Sequence, residues 1–578
     1  MTETLPTTFE GMPAWVGGLS HKYYSRTFAV FVLHGNVRDL VPLRRGATTE
    51  FVPLGRFLNE ALFAQRDLVL SYDRGGGIGF GRSETQADFT AAVGGYDSFH
   101  GTTFARTMPR SPDAVLGLLD NYLRLRISDH KKIALAIDFA ETIAPAGDLS
   151  MMSAEDRNAS VILKRWAQNP ALLQADATIC LITENKADLN PGIVQHPGVA
   201  TIEVPLPDDA ERTEFIRAEI AARPLPAGSE TGLETLAKLT AGLKRIQIQS
   251  LIAYAIENRQ PLTLSFLLDR KKEVIEAECA GMLEFVQSRF NLSNVAGLDE
   301  AKRRLQNAVA AIRAARTEVL PMGYVVCGPV GTGKTFLVTC FAGEVGIPAV
   351  MLKNFRSMWQ GVTEGNLERV LALLKAMSPI AVIVDEADAQ LGDRSNSGDS
   401  GVSNRVFAQI AQFMGNTELR GKVVWFLLTC RPDLLPVDLK RQGRAEEHIA
   451  LFYPETPEER SVLLQAMLRK AGSKLASADV EQLFGGSTAR LSGADIEAIL
   501  TRARMKSALE GDADLDAADV QAALADFIPP SYPTEIELQT LVAVLECTSR
   551  SLLPPAYRDM DRDEIIRRVN ALRPLIRE

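Results

Sequence analysis

The chain has 578 residues, which is more than one hydrophobic core accommodates and predicts two to four domains. Apolar residues make up 46% and charged residues 23%, and the formal charge of −9 is spread over many positions. This composition is typical of a soluble globular protein and argues against a dedicated nucleic-acid binder, which usually carries a basic excess.

Cysteine and histidine usage predicts neither a disulfide framework nor a zinc site. Six cysteines are scattered without a CxxC pair, and the six histidines are isolated. The N-terminal stretch lacks the basic start and apolar core of a signal peptide. No apolar run approaches the roughly 18 residues of a membrane-spanning helix. We therefore expect a cytoplasmic protein with no membrane partner.

The first half alternates short apolar runs with longer amphipathic stretches. Strands are predicted at residues 67–71, 133–138 and 177–183, with a glycine-rich turn at residues 74–81. A helical region follows from residue 208 to residue 285. This alternation predicts a parallel sheet with helices on both faces, so the expected fold class is α/β.

The second half repeats this order, which suggests duplication. Strands are predicted at residues 323–327, 381–384 and 423–428, followed by helices from residue 457 to residue 527. We expect six segments along the chain. They are an N-terminal tail (1–20), an α/β domain (21–207), a helical lid and linker (208–289), a second α/β core (290–454), its helical lid (455–530) and a helical tail (531–578).

Residues 328–335 fit the phosphate-loop pattern G-x-x-x-x-G-K-[ST] between a predicted strand and a predicted helix. Glycines let the backbone N–H groups of such a loop point at phosphates, which the helix N-terminus also attracts. Lys334 would neutralise the phosphates and Thr335 would hold Mg²⁺. A chance match is the alternative, and the strand-to-helix context argues against it. The predicted loop residues are Gly328, Pro329, Val330, Gly331, Thr332, Gly333, Lys334 and Thr335.

Two carboxylates follow the apolar run at residues 381–384. A buried strand there would deliver Asp385 to the magnesium shell beside Thr335. Glu386, one position further, would polarise a water molecule against the γ-phosphate. An isolated Asp-Glu pair after a strand is usually a solvated turn, but its spacing from the phosphate loop favours the catalytic interpretation.

These motifs, in this order, make the chain resemble the AAA+ ATPases, and within them the AAA clade of valosin-containing, NSF and spastin-type remodelling enzymes. The resemblance implies tandem P-loop NTPase domains with helical lids that bind ATP and Mg²⁺ and hydrolyse ATP. Gly297 lies in a segment similar to the one that closes over the adenine, and Cys430 takes the first sensor position. Gly493 and Ala494 lie in a segment that resembles the lid helix contacting the nucleotide.

Arg441 and Arg444 lie in a segment that resembles the one bearing two arginine fingers in this family. Fingers act across a subunit boundary on the γ-phosphate, so the resemblance implies a homo-oligomeric ring, most often a hexamer. Taken alone, two such arginines are more often a solvated helix face. The family usually has asparagine where this chain has Cys430, and a thiol is a poor substitute for an amide that orients water. We therefore expect modest hydrolysis.

Met358, Trp359 and Gly361 occupy the position where the AAA clade places an aromatic pore loop. By resemblance, Trp359 would grip an extended polypeptide, because an aromatic face packs against any side chain. A tryptophan of the core or of a shielded surface is the alternative. The sequence lacks an H-E-x-x-H motif, so the resemblance does not extend to a fused zinc protease. The expected partner is a protein substrate that is unfolded or remodelled.

The first half resembles a degenerate AAA+ domain. Its glycine-rich turn at residues 75–81 lacks a Lys-Thr ending, and Phe139 follows Asp138 where a catalytic glutamate is expected. No arginine finger occurs between Lys186 and Arg212. We expect this half to hydrolyse nothing; weak nucleotide binding and an unrelated α/β fold stay open. For the whole chain, a nucleotide-switched assembly factor without threading also stays open, as does a DNA-directed role, which the acidic balance disfavours.

Overall fold

The protein forms two compact units in its computed structural model. One unit comprises Met1–Ile275 and Glu364–Ala376, and the other comprises Glu276–Thr363 and Met377–Glu578. The structure describes residues 12–46, 48–148, 150, 152–226, 229, 232–279, 281–314, 316–353, 362–391, 402–470, 491–510, 517–528 and 532–576.

The first unit contains a six-stranded sheet and a separate hairpin. The strands are β1 (Val30–Gly35), β2 (Leu40–Arg45), β3 (Thr48–Pro53), β4 (Leu68–Asp73), β5 (Gly77–Phe80), β6 (Ile133–Ile137), β7 (Ala177–Ile182) and β8 (Val199–Val204). The sheet order is β5-β4-β6-β7-β1-β8, and every neighbouring pair is parallel except β4 with β5. Strands β2 and β3 form the antiparallel hairpin.

Helices cover both faces of this sheet and continue into a helical segment. They are α1 (Ala14–Tyr24), α2 (Leu54–Phe57), α3 (Ser83–His100), α4 (Pro112–Ser128), α5 (Ala154–Gln168), α6 (Pro170–Gln174), α7 (Pro191–Val194), α8 (Asp209–Ala222), α9 (Leu233–Leu239), α10 (Arg245–Glu257) and α11 (Leu264–Glu278). Val30 and Val32 of β1 belong to one core, whereas Phe31 and Leu33 belong to the other. Strand β1 is therefore buried on both faces, as a central parallel strand must be.

The second unit has a sheet of the same plan. Its strands are β9 (Leu283–Phe285), β10 (Gly323–Cys327), β11 (Ala349–Leu352), β12 (Ile380–Val384), β13 (Val423–Thr429) and β14 (Glu447–Ala450). The order is β14-β10-β13-β12-β11-β9, with only β9 antiparallel to its neighbour. Each six-stranded sheet thus has five parallel strands and one antiparallel strand at an edge.

Twelve further helices are described in the rest of the chain. They are α12 (Asp299–Arg313), α13 (Lys334–Val345), α14 (Val362–Ala376), α15 (Ala387–Leu391), α16 (Val402–Met414), α17 (Val437–Lys440), α18 (Pro457–Lys470), α19 (Gly493–Glu510), α20 (Ala517–Asp526), α21 (Pro533–Glu546), α22 (Pro555–Arg558) and α23 (Arg562–Leu572). Helices α18 to α20 share a small core, and α21 packs with α23 in another. None of the helices in the described ranges is long and apolar enough to cross a membrane.

The α/β fold class predicted from sequence is confirmed, and so are all six predicted strands within a residue or two of their ends. The structure adds strands that the sequence analysis did not assign, chiefly β1, β8, β11 and β14. The last two have only four residues each, which is too short for a distinct apolar run. The six-segment division of the chain stays a prediction.

Candidate nucleotide site

The predicted phosphate loop leaves the carboxyl end of β10 and leads into α13. Gly328 has a φ of 143° and lies against the carbonyl oxygen of Leu451, so a side chain here would collide with the backbone just after strand β14. Gly331 has a φ of 81°, and a Cβ atom there would lie 2.8 Å from the Ser492 hydroxyl. Glycine is therefore required at both bends of the loop.

Lys334 is the first residue of α13 and is almost completely buried. Its Nζ donates hydrogen bonds to the carbonyl oxygens of Gly328 at 2.8 Å and Pro329 at 2.9 Å, and lies 3.1 Å from the Cys430 Sγ. Two of these partners are backbone carbonyl oxygens, which carry no charge. A buried ammonium group at a helix N-terminus, held by backbone carbonyl oxygens, is well suited to bind an anion.

Thr335 and Asp385 meet through a hydrogen bond of 2.8 Å from the Thr335 Oγ1 to the Asp385 Oδ2. Thr335 lies on α13 and Asp385 follows β12, and parallel strands bring these connections to one edge of the sheet. A hydroxyl and a carboxylate are the hard oxygen ligands that Mg²⁺ prefers alongside water and phosphate. The pair therefore fits Mg²⁺ bound together with a nucleotide.

Glu386 follows Asp385 at the end of β12. Its backbone φ is 47°, and its N–H donates to the Asp385 Oδ1 at 2.9 Å. The residue is exposed, so its carboxylate is open to water beside the Thr335–Asp385 pair. A carboxylate in such a position can accept a proton from water.

Cys430 follows β13, the strand that lies between β10 and β12 in the sheet. The preceding Thr429 is buried and donates from its Oγ1 to the Asp388 Oδ1 at 2.7 Å, which ties β13 to α15. The thiol therefore lies at the same sheet edge as Lys334, which it contacts. A thiol is only a weak hydrogen-bond donor, so this contact adds little power to orient water.

Arg441 and Arg444 follow α17, and both contact Asp438. The Arg441 Nε donates to the Asp438 Oδ1 at 3.3 Å, and the Arg444 Nη1 donates to the Asp438 carbonyl oxygen at 2.6 Å. The Arg441 side chain is 56% exposed and that of Arg444 is 14% exposed. Burial, followed by the charge of Arg441, lowers the pKa of Arg444. The hydrogen bonds of the two guanidinium groups within the described residues do not reach the phosphate loop.

The other predicted nucleotide contacts lie near helix N-termini. Gly297, with a φ of 58°, shortly precedes α12. Gly493 and Ala494 open α19, and a Cβ atom on Gly493 would lie 3.9 Å from the Gly331 carbonyl oxygen. The lid helix α19 thus begins beside the phosphate loop. The predicted pore-loop residues fall outside the described ranges; they are Met358, Trp359 and Gly361.

Three family models match the chain. "AAA+ chaperone, N-terminal Rossmann-like domain" matches residues 6–205, and "AAA+ chaperone, second helical domain" matches residues 210–280. "ATPase family associated with various cellular activities (AAA)" matches residues 324–453, which include Lys334, Asp385 and Cys430. The chain belongs to the AAA+ ATPases. Membership of this family supports ATP hydrolase activity.

The AAA+ relatives differ in how much of each chain is matched. The cell division cycle protein 48 homolog of Archaeoglobus fulgidus is 28% identical over 64% of this chain and 54% of its own. The uncharacterized AAA domain-containing protein ycf46 of Guillardia theta is 25% identical over 67% and 74%, respectively. The ATP-dependent zinc metalloprotease FtsH 3 of Sphaerobacter thermophilus is 31% identical over 40% and 48%. The chain thus spans about half the length of the first and third of these relatives.

The first AAA+ unit retains the turn that carries the carboxylates in the second. Asp138 follows β6 as Asp385 follows β12, and each accepts a hydrogen bond from the next backbone N–H. The next residues, Phe139 and Glu386, have φ values of 49° and 47°. Phe139 therefore occupies the position of the proposed catalytic glutamate, as the sequence order indicated.

Strand pairing extends this correspondence across each sheet. Strand β6 pairs with β7, and β7 with β1, in the same registers as β12 with β13 and β13 with β10. Gly35 therefore corresponds to Gly328, and Glu184 corresponds to Cys430. The expected counterpart of the phosphate loop at residues 75–81 is wrong, because these residues form the end of the β4–β5 turn and strand β5, which pairs antiparallel with β4.

The connection after Gly35 differs from the phosphate loop in kind. The chain enters strand β2 after four residues, whereas the second unit enters helix α13. Gly35 itself keeps a positive φ of 95°, and a Cβ atom there would lie 2.7 Å from the Val204 carbonyl oxygen. Residues 36–39, all of which the structure describes, thus provide neither the lysine nor the helix N-terminus that would attract phosphate.

Arg38 fills the corresponding place in the first unit. Its Nη1 lies 2.7 Å and 2.8 Å from the two carboxylate oxygens of Asp138, and its Nε lies 3.7 Å from the Glu184 Oε1. The guanidinium also lies over the Phe139 ring, 3.8 Å from its centroid. A permanent internal cation therefore neutralises the carboxylate whose counterpart faces Thr335 in the second unit.

Sequence reasoning missed three residues at these two sites. Arg38 had only an indirect signal: the apolar run at residues 30–33 indicates a strand before Gly35, but no motif marks the turn that follows. The other two hold the phosphate loop: the Tyr453 hydroxyl donates to the Val330 carbonyl oxygen at 2.5 Å, and the Gln539 Oε1 accepts from the Val330 N–H at 3.0 Å. No motif marks either residue.

Proposed function

We propose that this chain is a ring-forming ATPase whose second AAA domain hydrolyses Mg-ATP to remodel, unfold or disassemble proteins through a central pore. The observation that carries the proposal is the convergence of Lys334, Thr335 and Asp385 at one edge of a parallel sheet. The family match over this region supports it, as do the names of the relatives.

The proposed roles follow from the contacts. Lys334 exchanges its carbonyl partners for the β- and γ-phosphates, and the loop N–H groups bind the remaining phosphate oxygens. Thr335 and Asp385 would hold Mg²⁺, which would supply positive charge to the phosphate oxygens. Glu386 accepts a proton from the water that attacks the γ-phosphorus while the bond to the β-phosphate oxygen breaks. ADP and phosphate then leave.

The two arginines fit a role in a neighbouring subunit. Arg441 is largely exposed beside Asp438, whereas the mostly buried Arg444 donates to the Asp438 carbonyl oxygen. The exposed guanidinium of Arg441 can supply positive charge to the γ-phosphate of an adjacent subunit. On this basis we propose a homo-oligomeric ring, and a hexamer as its size.

Two variants test the assignment of the site. Lys334→Ala should weaken binding of a fluorescent ADP by at least about 100-fold, to below detection at micromolar nucleotide, because more than one charged hydrogen bond to phosphate is lost. Glu386→Gln should bind the same probe with wild-type affinity and release phosphate from ATP at least about 100-fold more slowly. A Glu386→Gln variant that hydrolyses at the wild-type rate would remove this residue from the mechanism.

A client trap tests the action on proteins. Glu386→Gln is purified with ATP beside a Glu386→Gln/Trp359→Ala control, and the polypeptides that remain bound are identified. A polypeptide retained only when Trp359 is present supports threading through a pore. Equal retention by both variants, or none by either, contradicts threading.

The contact between Cys430 and Lys334 favours a second candidate, a nucleotide-switched assembly factor with slow turnover. A switch needs a stable nucleotide-bound state rather than rapid hydrolysis, and a thiol orients water poorly. Retention of a client that is independent of Trp359 and is released on hydrolysis would support this candidate.

Location and segment boundaries complete the proposal. All six cysteines are free thiols, which fits a reducing cytoplasm. The acidic net charge favours protein clients over nucleic acid. We retain the division at residues 20, 207, 289, 454 and 530 as the working boundaries for truncations.

A further inference from the structure

One peptide group of the phosphate loop connects Lys334 to Gln539. The Pro329 carbonyl oxygen accepts a hydrogen bond from the Lys334 Nζ at 2.9 Å. The Val330 N–H, on the other side of the same planar peptide group, donates to the Gln539 Oε1 at 3.0 Å. Gln539 is only 6% exposed, so bulk water does not compete for this acceptor. A change in the partners of Lys334 therefore alters the forces on a peptide group that α21 holds.

Helix α21 is firmly packed in the second unit. Leu538, Leu541 and Val542 are buried, and this face packs against Ile565 and Val569 of α23. The helix has 14 residues, which makes it about 20 Å long at 1.5 Å per residue. A helix packed in this way moves as a rigid element.

The C-terminal end of α21 reaches the segment that carries the arginines. Glu546 is its last residue, and the Glu546 Oε2 accepts from the Lys440 Nζ at 2.8 Å. The Glu546 Oε1 lies 3.1 Å from the His448 Nδ1. The His448 Nε2 lies 3.1 Å from the Lys440 carbonyl oxygen and 3.0 Å from that of Ala445. Burial alone lowers the pKa of His448, but the hydrogen bond and charge of Glu546 raise it overall.

Lys440 and Ala445 immediately flank the segment from Arg441 to Arg444. Through His448 and Lys440, the end of α21 therefore fixes both ends of this segment. Gln539 and Glu546 are seven residues apart, which places them two turns apart on one face of the helix, about 10 Å along its axis. One helix thus contacts the phosphate loop at one point and the arginine segment at another.

We propose that α21 couples the phosphate loop of each subunit to the arginine fingers that the same subunit offers to its neighbour. Gln539 and Glu546 are positioning residues at the two ends of this coupling. The inference rests on the proposed function, because it requires fingers that act between subunits. It deepens that function by assigning the C-terminal segment a role in communication around the ring.

Mixed rings separate the two ends of the coupling. Supplier subunits carry Lys334→Ala, which removes their nucleotide binding, and keep both arginines. Acceptor subunits carry Arg441→Ala and Arg444→Ala and keep their nucleotide site. Neither should hydrolyse ATP alone, and the mixture should regain activity where the arginines of a supplier meet the site of an acceptor.

Gln539→Met is then introduced into the supplier only. The phosphate loop of this subunit binds no nucleotide, so an effect on the mixture has to travel through α21 to the arginines. We expect phosphate release to fall on the order of tenfold, because a buried N–H loses its acceptor. Glu546→Gln in the supplier should have a similar effect from the other end. Thr540→Ala is the matched control, because the Thr540 hydroxyl donates only to the Ile536 carbonyl oxygen of its own helix.

The outcomes are distinct. If supplier subunits with Gln539→Met restore as much activity as supplier subunits with Thr540→Ala, the coupling is overturned. The proposed ring and its arginine fingers are not affected by that outcome. Parent subunits that assemble, bind nucleotide in the acceptor and still give no activity overturn the proposed fingers, and the coupling with them. Thermal melting and gel filtration check folding of each variant. Should Gln539→Met melt early, Glu546→Gln with wild-type melting decides: full activity overturns the coupling, and loss supports it.

Discussion

Replacing Cys430 by asparagine should accelerate ATP hydrolysis. The thiol lies 3.1 Å from the Lys334 Nζ at the end of β13, the strand between those that lead to Lys334 and Asp385. An asparagine Oδ1 can keep the contact with the ammonium group, and its NH₂ group can then donate to the water that Glu386 polarises. A thiol donates weakly, so the wild-type protein makes little use of this position in the transition state.

The size of the effect follows from one added hydrogen bond. A hydrogen bond that involves a developing charge contributes about 1.4 to 2.8 kcal/mol, which corresponds to roughly a 10- to 100-fold increase in kcat. The KM for ATP should change by less than about threefold, because the new donor acts on the attacking water rather than on bound nucleotide.

Phosphate release at saturating Mg-ATP measures this prediction. Cys430→Ala is the control for loss of the thiol, and Cys430→Ser controls for a small polar side chain. The reasoning is refuted if Cys430→Asn is no faster than Cys430→Ala at equal nucleotide affinity. In that case Cys430 does not lie where the attacking water is oriented.

Three other measurements test the remaining features. Calorimetric titration with Mg-ADP should find one site per chain in the wild type and none in Lys334→Ala. Arg38→Ala should still have one site, because β1 of the first unit leads into a hairpin rather than a helix. A second site in Arg38→Ala would contradict this. The pKa of His448 is raised above its ordinary 6.5 and that of Glu546 is lowered below its ordinary 4.5. The stability that His448 contributes is complete below pH 6.5 and is lost as the pH rises through its raised pKa. The stability that Glu546 contributes is complete above pH 4.5 and is lost as the pH falls through its lowered pKa. Hydrogen exchange in α21, corrected for intrinsic rates, should therefore be slowest at pH values between the lowered pKa of Glu546 and the raised pKa of His448. His448→Gln should remove the loss of exchange protection at high pH. Tyr453→Phe should weaken fluorescent ADP binding about three- to tenfold, and equally across neutral pH, since burial first and nearby negative charge second raise the pKa of this phenol to about 12; unchanged affinity would show that the loop needs no such anchor.

The site of the second unit could be predicted because its residues belong to short contiguous sequence motifs. Lys334 and Thr335 belong to one eight-residue pattern, and Asp385 with Glu386 closes a run of apolar residues. Parallel strand order then places the two motifs at one edge, where the structure shows the Thr335–Asp385 hydrogen bond. Periodicity also identified the longer buried strands, because continuous apolar runs of this length are typical of parallel sheets.

Contacts between distant segments left no such signal. Gln539 lies 209 residues from Val330, and a glutamine on a helix is ordinarily a surface residue. The turn at Gly35 was missed because a single glycine after a short apolar run matches no pattern, while the glycine cluster at residues 75–81 matches one superficially. Only strand register distinguishes the two turns, and register depends on pairing that the sequence does not state.

A comparison of the two units shows which features the fold requires and which features nucleotide binding and hydrolysis require. Gly35 and Gly328 both have positive φ and approach the next strand closely, although only the second is followed by a lysine and a helix. Phe139 and Glu386 share a left-handed backbone, although only one of them carries a carboxylate. These glycine and turn geometries are therefore properties of the sheet edge, and a strained φ at Glu386 is not in itself evidence of catalysis. Nucleotide chemistry depends instead on the connection that follows the first strand: a helix presents N–H groups and a lysine to phosphate, whereas a hairpin leaves the same edge to an internal arginine.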